Sequence, residues 1–211
     1  MPRPPQISRT QVLQAALTLV DEEGLDGLTM RKVGLALGVE AMSLYRHVSN
    51  KQAVLDGVLE AVLLGIRLPR KTDDWKKDVR ALAEAFRGAL LAHPNTLPLF
   101  AQQPAVTLAS LDYVEFALGV LSTPVAAMKQ RIYALQALVS FVIGHVISWS
   151  GKSTETRVDY SKLTPEAYPC LHQVGSQGFR RGERAEFRFG VELLLNGLER
   201  YQETTRNNGK G

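Results

Sequence analysis

An all-α chain in two unequal parts is what the sequence predicts, and three observations predict it. Apolar residues recur at helical spacing through almost the whole length, and no run alternates as a half-buried strand would. The first 66 residues hold four closely spaced helix starts. A polar, proline-containing break, "RLPRKTDD" at 67–74, then separates them from longer apolar helices. With 211 residues, 45% of them apolar, the chain has enough material for a real core, which excludes a disordered polypeptide.

The first helix opens at "SRTQ", where Ser8 can cap, Gln11 can return the bond and Ile7 can staple onto Val12. Val12, Ala15, Ala16, Leu19 and Val20 keep the three-and-four spacing, and "EEGLDG" ends the helix with Gly24 as a left-handed cap. A second helix starts at Thr29, with Leu28 set to staple onto Val33, and Gly38 interrupts it. A third runs from about Glu40 to His47. In "SNKQ" the capping pattern returns, Ser49 with Gln52, and a longer helix follows through Val54, Leu55, Val58, Leu59 and Val62.

Beyond the break the periodicity gives helices at roughly 74–92, 96–102, 105–121, 125–150, 165–176 and 183–203, with Pro165 suited to a first helical position. Residues 150–165 read as a polar loop. The domain reading is thus 1–66 for the first domain with its linking helix, 67–205 for a second helical domain, and 206–211 for a disordered tail.

Several classes drop out. The single cysteine, Cys170, has no partner for an internal disulfide and no second thiol for a metal, which suits a cytoplasmic protein. The N-terminus has no apolar core of a signal peptide. Residues 132–151 lack formal charge over a length that spans a bilayer. Gln136, Ser140, His145, Ser148 and Ser150 interrupt them, so a buried helix of a soluble protein is expected and no membrane partner. None of the histidines, at 47, 93, 145 and 172, has a second ligand at metal spacing, and no nucleophile elbow or phosphate loop occurs. No catalytic site, metal or cofactor is expected, and His145 reads as a core or pocket histidine.

Charge is more telling locally than overall. The net +4 divides into six Lys/Arg against seven Asp/Glu over 1–66 and a basic remainder, yet residues 27–51 hold Arg31, Lys32, Arg46 and Lys51 against Glu40 alone. Within that segment, two short helices joined through a glycine form the helix-turn-helix pattern. Val33, Leu37, Val39 and Leu44 supply its interior, leaving Ala41, Met42, Ser43, Tyr45, Arg46 and His47 toward the outer face. A recognition helix reads the major groove mainly through its N-terminal residues. Arg31 and Lys32 can reach a phosphate or a base edge, and Lys51 with the free amides of the next helix makes a phosphate site. Alone, a Tyr-x-His pair would be junction packing and a single arginine a surface charge. Their joint spacing around the turn points to double-stranded DNA.

The stretch "LTMRKVGLALGVEAMSLYRHVSNKQAVLDGVL" resembles the DNA-binding domain of the tetracycline-repressor (TetR) family, in its threonine-led second helix, "LGV" turn, "LY.H" and "NK..L". "WKKDVRALAEAFRGALLAHP" and "FGVELLLNGLE" resemble the ligand-binding and dimerisation domain of the tetracycline repressor's own branch. The resemblance implies a three-helix reading domain joined by a fourth helix to a helical bundle that binds a ligand and dimerises. It implies that Arg31 contacts a base and that Ser43 touches base or phosphate. Tyr45, His47 and Lys51 would then meet the backbone, Arg46 would sit at a position that varies with the sequence read, and Thr29 would lead the second helix. Ala41 replaces a polar base reader, Met42 offers only apolar contact, and Gly34 stands where alanine is usual.

In the second domain, Phe187, Val191, Leu194, Leu198 and Tyr201 form one stripe, with Gly190 and Gly197 nearly alongside, and this stripe is the expected pairing surface of a homodimer. Phe86, Phe100, Leu111, Leu135 and Val139 lie on helices that surround the ligand in the family. Leu82 takes the place of its tetracycline-binding asparagine, Leu99 or Phe100 that of a magnesium-binding histidine, and Ser148 that of the acidic partner. The expected effector is therefore a small, largely apolar molecule rather than a tetracycline–magnesium pair. A second domain that binds a protein, or a helical enzyme, are the competing classes.

Overall fold

The computed structural model describes residues 7–102, 111–150, 159, 162–176 and 182–208. All regular structure among them is helical. Four helices form an N-terminal head: α1 (Arg9–Gly27), α2 (Met30–Ala36), α3 (Ala41–Leu44) and α4 (Lys51–Leu64). At the start of α1 the capping box forms as read: Gln11 N–H donates to Ser8 Oγ at 3.3 Å and Ser8 N–H to Gln11 Oε1 at 2.8 Å. Gly24 has φ +77° and ψ 178°, an extended glycine conformation rather than a left-handed cap, so it kinks α1 and the helix resumes to Gly27. The cap of α4 lies one residue later than expected. Asn50, not Ser49, accepts from Ala53 N–H at 2.8 Å, while Gln52 turns away to Asp56.

α1 and α4 pack tightly because Gly57 leaves room for Leu13; a Cβ at that glycine would stand 2.1 Å from Leu13 Cδ2. A forked ion pair, Arg9 to Glu60 at 2.8 and 2.7 Å, closes the same seam. Val12, Ala16, Val20, Leu28, Val33, Leu44, Val54 and Val58 form the head's share of a buried interior that continues into the second part. The break at 67–74 folds back on the next helix, where buried Asp78 accepts from the Thr72 amide and hydroxyl at 3.0 and 2.7 Å.

The second part comprises α5 (Trp75–Ala92), a 3₁₀ turn (Pro94–Thr96), α6 (Leu97–Gln102), α7 (Leu111–Leu121), α8 (Met128–Ser150), α9 (Pro169–Ser176) and α10 (Glu183–Asn208). α5 is the central post, packed against α7, α8 and α10. α5 and α10 run antiparallel, and their ion pairs ascend in opposite order: Lys76 to Glu199, Arg80 to Glu192 and Arg87 to Glu183. α8 starts at Met128 rather than 125. Pro169 rather than Pro165 opens α9, residues 165–168 forming a turn. α10 runs three residues into the stretch assigned to a disordered tail. The start of the helix expected at 105, most of the 150–165 loop and residues 209–211 lie outside the described residues.

Candidate nucleic-acid interface and ligand cavity

Local chemistry shapes the reading surface. Thr29 caps α2, its hydroxyl accepting from the Lys32 amide at 3.2 Å, so this threonine serves the backbone first. Gly38 sits at φ +67°, the left-handed turn the sequence demands there. The chain then doubles back over Gly34: Val39 N–H donates to the Gly34 carbonyl at 2.9 Å. A Cβ at Gly34 would lie 2.7 Å from the Val39 carbonyl oxygen and 3.1 Å from the Ala41 amide. Glycine inside α2, unfavourable by about 1 kcal/mol in helix propensity, is thus explained by the approach of the turn.

Leu44 and Val48 are buried, which turns the rest of α3 and the following turn outward. Met42 is 73% exposed and Tyr45 45% exposed, Arg46 is exposed, and Ala41, Ser43 and His47 are half-buried. α3 is shorter than the helix expected to reach His47; Tyr45, Arg46 and His47 sit in the turn that follows it. Arg31, Arg46 and Lys51 are exposed and make no ion pair among the described residues. Lys32 differs, because it is paired with Glu23 on α1.

In the second part, Val79, Leu82, Ala83, Phe86, Tyr113, Ala117, Leu121, Leu135, Leu138, Val139 and Val142 enclose an apolar cavity between α5, α7 and α8. Leu82, Phe86, Leu135 and Val139 are among the residues expected there. Phe100 is not in the wall but packs edge-on behind Phe86, ring centres 5.9 Å apart. Leu111 is neither, being 44% exposed at the start of α7. Sequence reasoning missed Val79 and Ala83, although with Leu82 and Phe86 they complete one helical face. It also missed Tyr113, whose buried hydroxyl donates to the Leu82 carbonyl at 2.8 Å and is pushed well above its ordinary pKa by burial. The cavity holds about 30 Å³ of free space. That suits one or two waters, so any larger occupant must push the walls apart.

The stripe expected as a pairing surface is largely turned inward in this chain. Phe187 is 1% exposed and Val191 3%, and Leu194 and Leu198 pack against the same interior, so the stripe read from the sequence faces the chain's own core. Only Tyr201 of that set stands out. Gly190 is filled from within, since a Cβ there would lie 2.2 Å from the ring of Phe141 on α8. Phe189 and Leu193 of α10 are more exposed still, on the side opposite the core. On α8 only Leu138, Val142 and Val146 are buried, while Ile132, Tyr133 and Ile147 are exposed. α8 is the one described helix long and apolar enough to cross a membrane. The helix expected to be buried is thus buried along one face only within one chain.

These features have counterparts among known proteins. Residues 12–58 match the family described as "Bacterial regulatory proteins, tetR family", and residues 68–201 match "Tetracyclin repressor-like, C-terminal domain". The chain belongs to the tetR family. A class D tetracycline repressor protein of Escherichia coli is 32% identical over 206 residues, covering 92% of this chain and 90% of that protein. An HTH-type transcriptional regulator of Saccharopolyspora erythraea is 34% identical over 203 residues, covering 92% and 85%. The tetR-family protein ActR of Streptomyces coelicolor, solved in complex with actinorhodin, superposes with TM-score 0.82 at 22% identity over 93% of this chain and 96% of its own, a likeness of fold. This tetR-family chain is a transcriptional regulator with an N-terminal DNA-binding domain, not an enzyme.

Proposed function

We propose that the protein is a homodimeric repressor that occludes a palindromic operator and is released by a small, largely apolar effector. The observation that carries the reading is the set of unpaired cations, Arg31, Arg46 and Lys51, around a buried-core helix-turn-helix. In this reading Arg31 takes a base edge and Ser43 a base or phosphate. Tyr45, His47 and Lys51 grip the backbone, and Arg46 tunes the sequence read. Exposed Met42 with Ala41 offers a thymine methyl an apolar surface, so the operator differs from one read by polar side chains at these positions.

Dimerisation uses the outer faces of α8 and α10, Tyr133 and Ile147 with Phe189 and Leu193, which one chain leaves open. Two such helices from each copy make a four-helix interface and set two recognition helices about 34–36 Å apart. The cavity behind Phe86 is the effector site. Its walls are carbon, and its Tyr113 hydroxyl is occupied by a backbone carbonyl. Leu82 lines it, Leu99 and Phe100 carry no oxygen donor, and Ser148 is exposed and bonded to the His145 carbonyl, so a magnesium–tetracycline pair lacks ligands. The fold holds a small molecule in ActR, and a protein ligand would need no internal cavity. By population shift, an effector that fits only the expanded cavity favours a form in which the heads no longer match the operator.

Selection of bound duplexes from a random pool tests this directly. Paired half-sites one helical turn apart are expected, with affinity that falls steeply as salt rises. Unpaired sites or a flat salt response would sink the docking. Adding apolar compounds to the complex then tests release.

A further inference from the structure

The head and the second domain are joined by a small polar contact that the DNA surface and the cavity leave unexplained. On the head side it is the end of the regular part of α1, Val20 and Asp21. On the other it is the turn between α5 and α6. The Asn95 side-chain amide donates to the carbonyls of both Val20 and Asp21, at 2.9 and 3.0 Å. The His93 imidazole Nδ1 lies 2.8 Å from Asp21 Oδ2 and, facing a carboxylate, is the donor. Gly24 breaks helical geometry three residues on, and Asn95 reaches the carbonyls just before that break from the neighbouring domain.

The same turn leads into the cavity. Buried Thr96 ties its hydroxyl and amide back to the His93 carbonyl at 2.7 and 3.0 Å, which makes His93–Thr96 one stiff unit. That unit continues into α6, whose Phe100 is packed against the cavity-wall ring of Phe86. From Phe86 to Val20 the path is one ring contact, one short helix and three hydrogen bonds.

We propose that His93 and Asn95 are positioning residues that couple cavity to head: a wall displaced at Phe86 moves Phe100 and the turn, and the turn carries the end of α1 with it. This rests on the reading of the cavity as the effector site, but its test needs no effector. Coupling is reciprocal, so DNA on the head should steady α6. Amide hydrogen exchange of the full-length protein is measured with and without a selected operator duplex. In the unaltered chain the duplex should slow exchange severalfold both at 30–51 and at 97–102. Asn95→Asp keeps the volume of the amide but cannot donate, and His93→Phe keeps a ring without the donor. Both variants should retain the slowing at 30–51 and lose most of it at 97–102. Undiminished slowing at 97–102 in both would hand the coupling to α4, which also touches α5 and α6, and overturn the proposal. So would no slowing there in the unaltered chain, or variants that fold normally yet no longer bind the duplex. Failure of the effector reading shows separately, as DNA that no apolar compound releases.

Discussion

The reading head and the second domain differ in how their cations are met. In the head, among the described residues, the exposed cations Arg31, Arg46 and Lys51 make no ion pair, and Leu35, Met42 and Leu64 also stand open. Along the α5–α10 seam each of Lys76, Arg80 and Arg87 faces a glutamate, and Ile132, Tyr133, Ile147, Phe189 and Leu193 stand open on α8 and α10. Open cations call for a polyanion, and an open apolar face on two neighbouring helices calls for another apolar face. Under the proposed reading the difference sorts partners: DNA at one end, a second copy at the other.

The contrast is sharpest on α10, where two phenylalanines two residues apart face opposite ways. Phe187 stacks on Phe141, carries the Arg87 guanidinium 5.0 Å above its ring and is fully buried. Phe187→Ala should destabilise the fold by about 3–5 kcal/mol, read by urea unfolding. Phe189→Ala should leave folding of the single chain nearly intact. Equal losses would erase the distinction between core and pairing face.

Next in size is loss of the pair. Leu193→Arg places a charge on the open face without touching the core, so the chain should remain helical but sediment as a monomer. Operator affinity should fall by about 10²-fold or more, because the second half-site no longer binds as part of the same particle. A variant that stays dimeric with full affinity would return the face to solvent. At the head, Arg31→Ala should weaken specific binding by about 1–3 kcal/mol if it holds a base. Lys32→Ala should do less, since Lys32 is already engaged by Glu23. The reverse ranking, in competition against random duplex, would exchange their roles.

The two regions also differed in how far the sequence could be read. In the head each decision is local. Ser8 and Gln11 sit three apart, Gly38 needs its φ, and Gly34, where alanine is usual, lies under the Val39 carbonyl of the next turn. Even the error there is local: Ser49 and Asn50 are both good caps, and one residue of register separates them. In the second domain α10 keeps its period, and its apolar stripe packs inside the chain. Periodicity says which residues share a face, and not whether that face meets α8 of the same chain or of another. Gly190 looked like a contact for a second helix and holds Phe141 of its own. The cavity wall joins α5 to α7 and α8 across long separations, which no spacing rule reports.

The smallest predicted effect lies where core and pairing face meet. His145 on α8 stands among Phe141, Trp149 and Phe187, with ring centres 6.0, 6.3 and 5.2 Å away. Burial holds its pKa below the ordinary 6.5; the Arg87 cation pushes the same way, while Glu183 and Glu186 pull back. The folded state therefore binds fewer protons than the unfolded state just below pH 6.5. Stability from the neutral ring is fully present above that value and is lost as pH falls from there through the folded pKa. His145→Phe keeps an aromatic ring and removes the titration. Melting temperatures of the two chains should differ more in the variant's favour at pH 5.5 than at pH 7.5. Parallel pH profiles would mean that the acidic residues at the start of α10 offset the burial. The ring would then be as free to charge in the fold as outside it, and this part of the second domain would be more polar than its packing suggests.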